Sequence, residues 1–179
     1  MSKPKLKLSE NQVSQEIDLK KYLGSLAKDE SVREVFFQLA FEKMIERLDD
    51  GKDVNGKAMV KYSKEYKDSL AYAAFSKDGT VNMTLSGDMV NSVSIKSQNS
   101  NKMVVGFDGK EQNAKAFAHI TGFEGHPTIK GAKPREFFGW TDKELSQISK
   151  ELKPANDSKS IISDEKLIAL LDRLVGSSG

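Results

Sequence analysis

The chain has 179 residues, enough for one domain, or one domain with an appendage, that buries most of a single core, and too few for a multidomain enzyme. A formal net charge of +2 gives no overall field that selects nucleic acid or an anionic membrane, so any basic function has to be local. Cysteine is absent, which excludes disulfides, thiolate metal sites and thiol nucleophiles and suits assembly in a reducing cytoplasm, and no apolar run approaches the ~20 residues that cross a bilayer.

The opening Met1-Ser2-Lys3-Pro4-Lys5-Leu6-Lys7 is polar and lysine-rich and lacks the apolar stretch of a signal peptide. Residues 1–16 are therefore expected to form a flexible arm, with order beginning near Ile17. Leu19, Tyr22, Leu23 and Leu26 then recur at helical spacing. Asp29-Glu30-Ser31 is a helix start signal, and the main helix is predicted from Val32 to Leu48, roughly 25 Å at 1.5 Å per residue, ended by Gly51. At about 100° per residue, Val32, Val35, Phe36, Leu39 and Ala40 share one face. Phe37, Phe41, Met44, Ile45 and Leu48 share nearly the opposite one. Such a helix is either buried on two sides within its own domain or packs one end against a neighbouring subunit, as a ring-forming protein needs.

Lys57 to Phe75 reads as a loop followed by a short helix. The alternation of Val81, Met83 and Leu85 predicts a half-buried strand over Thr80–Leu85, broken at Gly87-Asp88. Val93 and Ile95 continue the alternation to a polar turn at Ser97–Asn101, from which Met103–Phe107 returns as the second strand of a hairpin. Glu111 to Ile120 is predicted as a short helix stopped by Gly122. A glycine-rich basic loop and a short aromatic strand, Pro134-Arg135-Glu136-Phe137-Phe138, follow. Thr141-Asp142-Lys143-Glu144 is a capping box that opens a helix reaching Leu152, with Pro154 beyond its end. Asn156–Ser160 is a polar linker, after which Leu167, Ile168, Leu170, Leu171, Leu174 and Val175 form one apolar face of a last amphipathic helix. Burial of each such side chain is worth roughly 1.5–3 kcal/mol, so this helix needs a partner surface, on its own domain or on a neighbour. The domain reading is thus an arm at 1–16, an α+β domain at 17–153, and a linker and helix at 154–179.

The search for reaction chemistry finds no complete set. His119 and His126 are the only histidines, and no nearby carboxylate pair completes a zinc site; His119 is better read as fixing the start of the loop through its own hydrogen bonds. No Gly-x-Ser-x-Gly and no Gly-x-x-x-x-Gly-Lys-Ser/Thr spacing occurs, and Ser163-Asp164-Glu165-Lys166 is the start of a helix. The basic loop is different. His126, Lys130, Lys133 and Arg135 stand among Gly125, Pro127, Gly131 and Pro134, which places positive charge on a backbone able to approach a partner closely. Such a run is either a solvated loop or a contact with an acidic protein rim or the phosphates of DNA, and contact with DNA would weaken with salt.

Three short stretches, Leu85-Ser86-Gly87-Asp88-Met89-Val90-Asn91-Ser92-Val93, Ala118-His119-Ile120-Thr121-Gly122 and Pro134-Arg135-Glu136-Phe137-Phe138-Gly139, succeed one another in a fixed order before an acidic helix start. In that order the region from Val32 to Leu152 resembles the Mu-like virion morphogenesis family of tailed phages. The resemblance implies a small α+β protein like tail-terminator and tail-completion folds, a long helix across an antiparallel sheet, with copies forming a ring, commonly sixfold. It implies no enzymatic activity, no cofactor and no metal. Leu85, Met89 and Val93 would pack the turn and strand joining two sheet elements, with Gly87 permitting the tight backbone. His119 and Gly122 would shape the entrance to the loop. Pro134, Arg135, Phe137 and Phe138 would return the chain to the sheet, the phenylalanines on alternate faces and Arg135 free for an acidic partner. On that view Arg135→Glu leaves folding intact and stops heads from joining tails. The sequence departs from the family in its Lys-Pro-Arg-Glu order, in Asn91 and in the long tail after Lys153.

The expected function is therefore that of a tail-completion or tail-terminator protein of the virion neck, assembled in the host cytoplasm. Its homo-oligomeric ring would cap the tail tube, adjoin sheath proteins and receive the head connector. Ring contacts would use Phe37, Phe41, Met44, Ile45 and Leu48, and docking would use His126, Lys130, Lys133 and Arg135. No membrane partner is expected, and DNA in the channel would be touched without sequence preference. The rivals are a head-side connector or stopper ring and a small DNA-binding accessory protein.

Overall fold

The computed structural model describes residues 6–62, 64–68, 87–122 and 133–152. Strand β1 (Leu6–Ser9) turns back into β2 (Gln12–Asp18), and the Ser9 hydroxyl accepts the Gln12 amide at 3.1 Å to close the turn. Helix α1 (Leu19–Leu23) starts under the Asp18 carboxylate, which accepts from the Lys21 amide at 3.0 Å, and passes into a 3₁₀ turn over Gly24–Lys28. Asp29 caps α2 (Glu30–Asp49), accepting from the amides of Ser31 at 2.9 Å and Val32 at 3.5 Å. Short helices α3 (Lys64–Lys67) and α4 (Asp88–Asn91) precede the hairpin of β3 (Val93–Gln98) and β4 (Lys102–Phe107). Helices α5 (Lys110–Thr121) and α6 (Asp142–Leu152) complete the described elements.

The four strands form one antiparallel sheet in the order β1-β2-β4-β3. Pairing of Gln15 with Val105 and of Ile17 with Met103 puts Val13, Gln15, Ile17, Met103, Val105 and Phe107 on one face, and all six are buried. That face, α1, α2, α5 and α6 contribute to a single core with Phe36, Met44, Phe138 and Trp140 at or near zero exposure. The architecture is α+β, with a small antiparallel sheet, as the hydrophobic periodicity indicates.

Two expectations are corrected. Residues 6–16 are not an arm but most of a hairpin, and β2 lies inside the sheet between β1 and β4, so the domain begins at least eleven positions earlier than Ile17. The lysines misled because Lys5 and Lys7 alternate with Leu6 and Leu8, the pattern of a half-covered edge strand. Helix α2 does not present two independent faces. Its buried row runs Val32, Phe36, Ala40, Met44, Leu48, and a four-residue step on a helix advances about 40° each time, so the row winds around the helix and joins both sets. Met44 and Leu48, at 0% exposure, and Phe37 belong to the chain's own core, leaving only Phe41 and Ile45 of the expected ring contacts half-buried.

The hairpin at Val93–Phe107, the helix ended by Gly122 and the capping box at Thr141 appear as expected. Gly122 ends α5 with φ 82°, a left-handed conformation that glycine adopts without strain, and its amide donates to Ala118 O at 2.9 Å. Gly87 likewise has φ 77°, and a Cβ there would meet Asn91 Nδ2 at 3.1 Å. Met89 and Val93 are buried, as packing residues should be. The Thr80–Leu85 strand, Leu85 itself and the last amphipathic helix lie outside the described residues.

Candidate functional site

The chain leaves α5 at Gly122 and is described again from Lys133; His126 and Lys130 lie outside the described residues. The two ends of this excursion are joined, because the Arg135 amide donates to His119 O at 2.9 Å. Lys133 and Pro134 are exposed at its exit, and Arg135 is not. At 8% exposure its guanidinium reaches inward, Nε donating to Val60 O at 3.0 Å and an Nη to Lys61 O at 3.5 Å, with the Tyr62 ring 5.2 Å beneath it. The expectation that Arg135 is available to an acidic partner is therefore corrected. A planar donor fork satisfies two loop carbonyls at once and ties the 52–62 loop to the base of the excursion.

His119, half-buried on the last turn of α5, has its pKa lowered to about 4 by burial and, secondarily, by the nearby positive charge of Arg135. The ring is neutral at physiological pH. It stands beside the loop entrance, as the sequence placed it, and acts there as an uncharged part of the base.

Beyond Arg135 the chain does not form a strand. Phe137 and Phe138 are both fully buried, so they do not alternate between faces, and they meet Phe107 at ring-centroid distances of 6.1 and 4.7 Å. This irregular backbone is held by side chains instead. The Gln15 amide pairs with both backbone groups of Trp140, and Arg47 donates to Phe137 O at 3.2 Å, to Gly139 O at 2.8 Å and to the Glu144 carboxylate. Glu144 in turn accepts from the Thr141 amide at 2.7 Å, the reciprocal half of the capping box. Sequence reasoning missed Gln15 and Arg47. The available signal was positional: each is a polar residue on an otherwise apolar row, Val13-x-Gln15-x-Ile17 in the strand and Met44 to Leu48 in the helix.

Beside this keystone lies an apolar recess of about 360 Å³ between β1, the end of α5 and the 134–140 segment, lined by Leu6, Leu8, Val54, Ile120, Phe138 and Trp140. Glu136 stands at its rim, with its backbone carbonyl accepting from Val54 N at 2.7 Å and its carboxylate from Asn55 Nδ2 at 3.0 Å. The large hydrophobic side chains exposed among the described residues are Leu8, at the recess, and Val60, whose carbonyl holds Arg135. Among the described residues no group of three or more histidine or carboxylate side chains is placed to hold a metal ion, and no helix is long and apolar enough to cross a membrane. Compared with protein-family models, with curated proteins and with solved structures, the chain matches none.

Proposed function

We propose that the chain is a structural subunit of a tailed-phage particle, a tail-completion or tail-terminator protein whose homomeric ring caps the tail tube and receives the head connector. Two things support this reading. One is the order of the Leu85–Val93, Ala118–Gly122 and Pro134–Gly139 stretches, which resembles the Mu-like virion morphogenesis family. The other, which carries the docking role, is the closed base of the basic excursion, where the Arg135 amide bonds His119 O and the Arg135 side chain locks onto Val60 and Lys61 carbonyls. A glycine-bearing segment anchored at both ends loses less freedom on binding than a loose one, and the exposed Lys133 stands two positions before the residue that closes the base.

Docking charge in this reading falls to Lys130 and Lys133, since Arg135 is engaged inside the chain. Ring contacts on α2 fall to the half-buried Phe41 and Ile45 in place of Phe37, Met44 and Leu48. Assembly proceeds by surface complementarity: an existing tail end offers a repeated site, and each subunit added makes the next contact effectively intramolecular.

The test is the mass and symmetry of the purified protein, alone and with isolated tail tubes, by light scattering and particle imaging. A closed ring at one end of the tube is expected, lost in a Lys130→Glu/Lys133→Glu variant that remains folded. A protein that ignores tubes and instead binds empty heads or DNA would transfer it to a head-side stopper ring or a DNA-binding accessory role.

A further inference from the structure

Leu8 sits on the core-facing side of the sheet and is nevertheless exposed. It pairs with Val13, which has 0% exposure, so the two side chains share a face, yet Leu8 remains 41% exposed. The cover over the inner face thus stops one strand short of the sheet edge, and the shortfall is the recess bounded by Leu6, Leu8, Ile120 and Trp140.

We infer that the last segment of this same chain, residues 163–175, seats its leucine stripe in that recess and completes the core over β1. Three observations select this occupant. At about 100° per residue Leu174, Leu167 and Leu171 fall within about 60° of one another, a narrow apolar ridge that needs a groove. The recess has one carboxylate, Glu136, at its rim, and the ridge carries Lys166 and Arg173 along a single edge, so the apolar contact can be made with opposite charges side by side. Reach is sufficient. Trp140 lines the recess and α6 starts two residues later, so its eleven residues put Leu152 about 16 Å from that end at 1.5 Å per residue. The ten residues from 153 to 162 span up to about 35 Å when extended, enough to return. The contact is independent of the particle assignment and holds or fails whatever the ring does.

The absence of cysteine makes the test direct. In the full-length chain, a Leu8→Cys/Leu171→Cys pair is oxidised mildly and resolved by non-reducing electrophoresis and mass spectrometry. The expected product is an internally bridged monomer in high yield, with at least a several-fold lower yield for Leu8→Cys/Ala169→Cys, because Ala169 lies opposite the ridge. A disulfide-linked dimer would overturn the inference in favour of a second copy as occupant, and equal yields or no bridge would overturn it outright. A second readout does not depend on bridge geometry: maleimide labelling of Leu8→Cys should accelerate several-fold when Leu171→Asp is added, with Trp140 fluorescence confirming that the domain stays folded. An unchanged rate would sink the proposal.

Discussion

The side-chain amide of Gln15 pairs with the backbone of Trp140 twice, its Oε1 accepting the Trp140 amide at 2.8 Å and its Nε2 donating to the Trp140 carbonyl at 3.0 Å. A residue of β2, 125 positions earlier in the chain, thereby acts as a missing strand for a segment that has none. Gln15→Leu fits the apolar row of Val13 and Ile17 but strands one buried donor and one buried acceptor. The expected cost is about 2–6 kcal/mol, at 1–3 kcal/mol for each unsatisfied group. Urea unfolding followed by the fluorescence of Trp140, the single tryptophan, measures it. A loss below about 0.5 kcal/mol would mean that the Trp140 backbone has no need of Gln15.

Arg47 occupies the comparable position from the helix side. It is 8% exposed and serves two carbonyls and the Glu144 carboxylate from one planar group. Arg47→Met keeps much of the stem but removes the cationic partner of the partly buried Glu144 carboxylate and the shared donor of two carbonyls, and a loss of about 3–5 kcal/mol is expected. Arg47→Lys should recover only part, because a point charge cannot span all three acceptors. Full recovery by lysine would show that charge alone, and not the fork, holds the 137–139 backbone.

Elements fixed by contacts within a short window of sequence are legible, and those fixed by contacts with distant residues are not. Asp29, Gly122 and the Thr141–Glu144 box each act on the adjacent turn, so their meaning survives in a short window of sequence. The hairpin of β3 and β4 was equally local, its turn made by Asn99 Oδ1 accepting from the amides of Asn101 at 2.8 Å and Lys102 at 3.0 Å. The β1–β2 hairpin was misread because its sheet partner β4 lies some 90 residues away, and an alternating lysine–leucine run has no cover until that partner is placed. The role of Arg135 failed for the same reason. A basic residue in a glycine-rich setting looks free until the Val60 and Lys61 carbonyls, more than 70 positions distant, are brought beneath it.

Arg135 and Lys133 should consequently separate under mutation. Arg135→Glu was expected from the sequence to leave folding intact. With Arg135 8% exposed and its guanidinium bonded to two loop carbonyls, the substitution is expected to lower stability by about 2–4 kcal/mol and to loosen the 52–62 loop. Lys133→Glu, at an exposed position, should change stability by less than about 0.5 kcal/mol. Thermal unfolding of the two variants side by side checks this, and hydrogen exchange of the Gly51–Tyr62 amides reports the loop. Equal stability of both variants would return Arg135 to the set of docking residues.

His119 gives the molecule a pH dependence whose sign follows from its burial. Its folded-state pKa is about 4 against an ordinary value of 6.5, so between these values the unfolded chain takes up a proton that the folded chain refuses. Stability is therefore full above pH ~6.5 and falls as the pH drops toward ~4, below which this group adds nothing further. The ring is only half-buried, which discounts the effect to the order of 1–2 kcal/mol across the window. Asp108 is held below the usual carboxylate range, chiefly by its bond from Lys96. With only two histidines in the chain, the window can be assigned by substitution. Urea midpoints for the parent should decline between pH 7 and 4.5, whereas His119→Gln should show a flatter profile over the same range. His126→Gln is the control, and if the slope disappears with that variant instead, the protonation cost does not belong to the base of the loop.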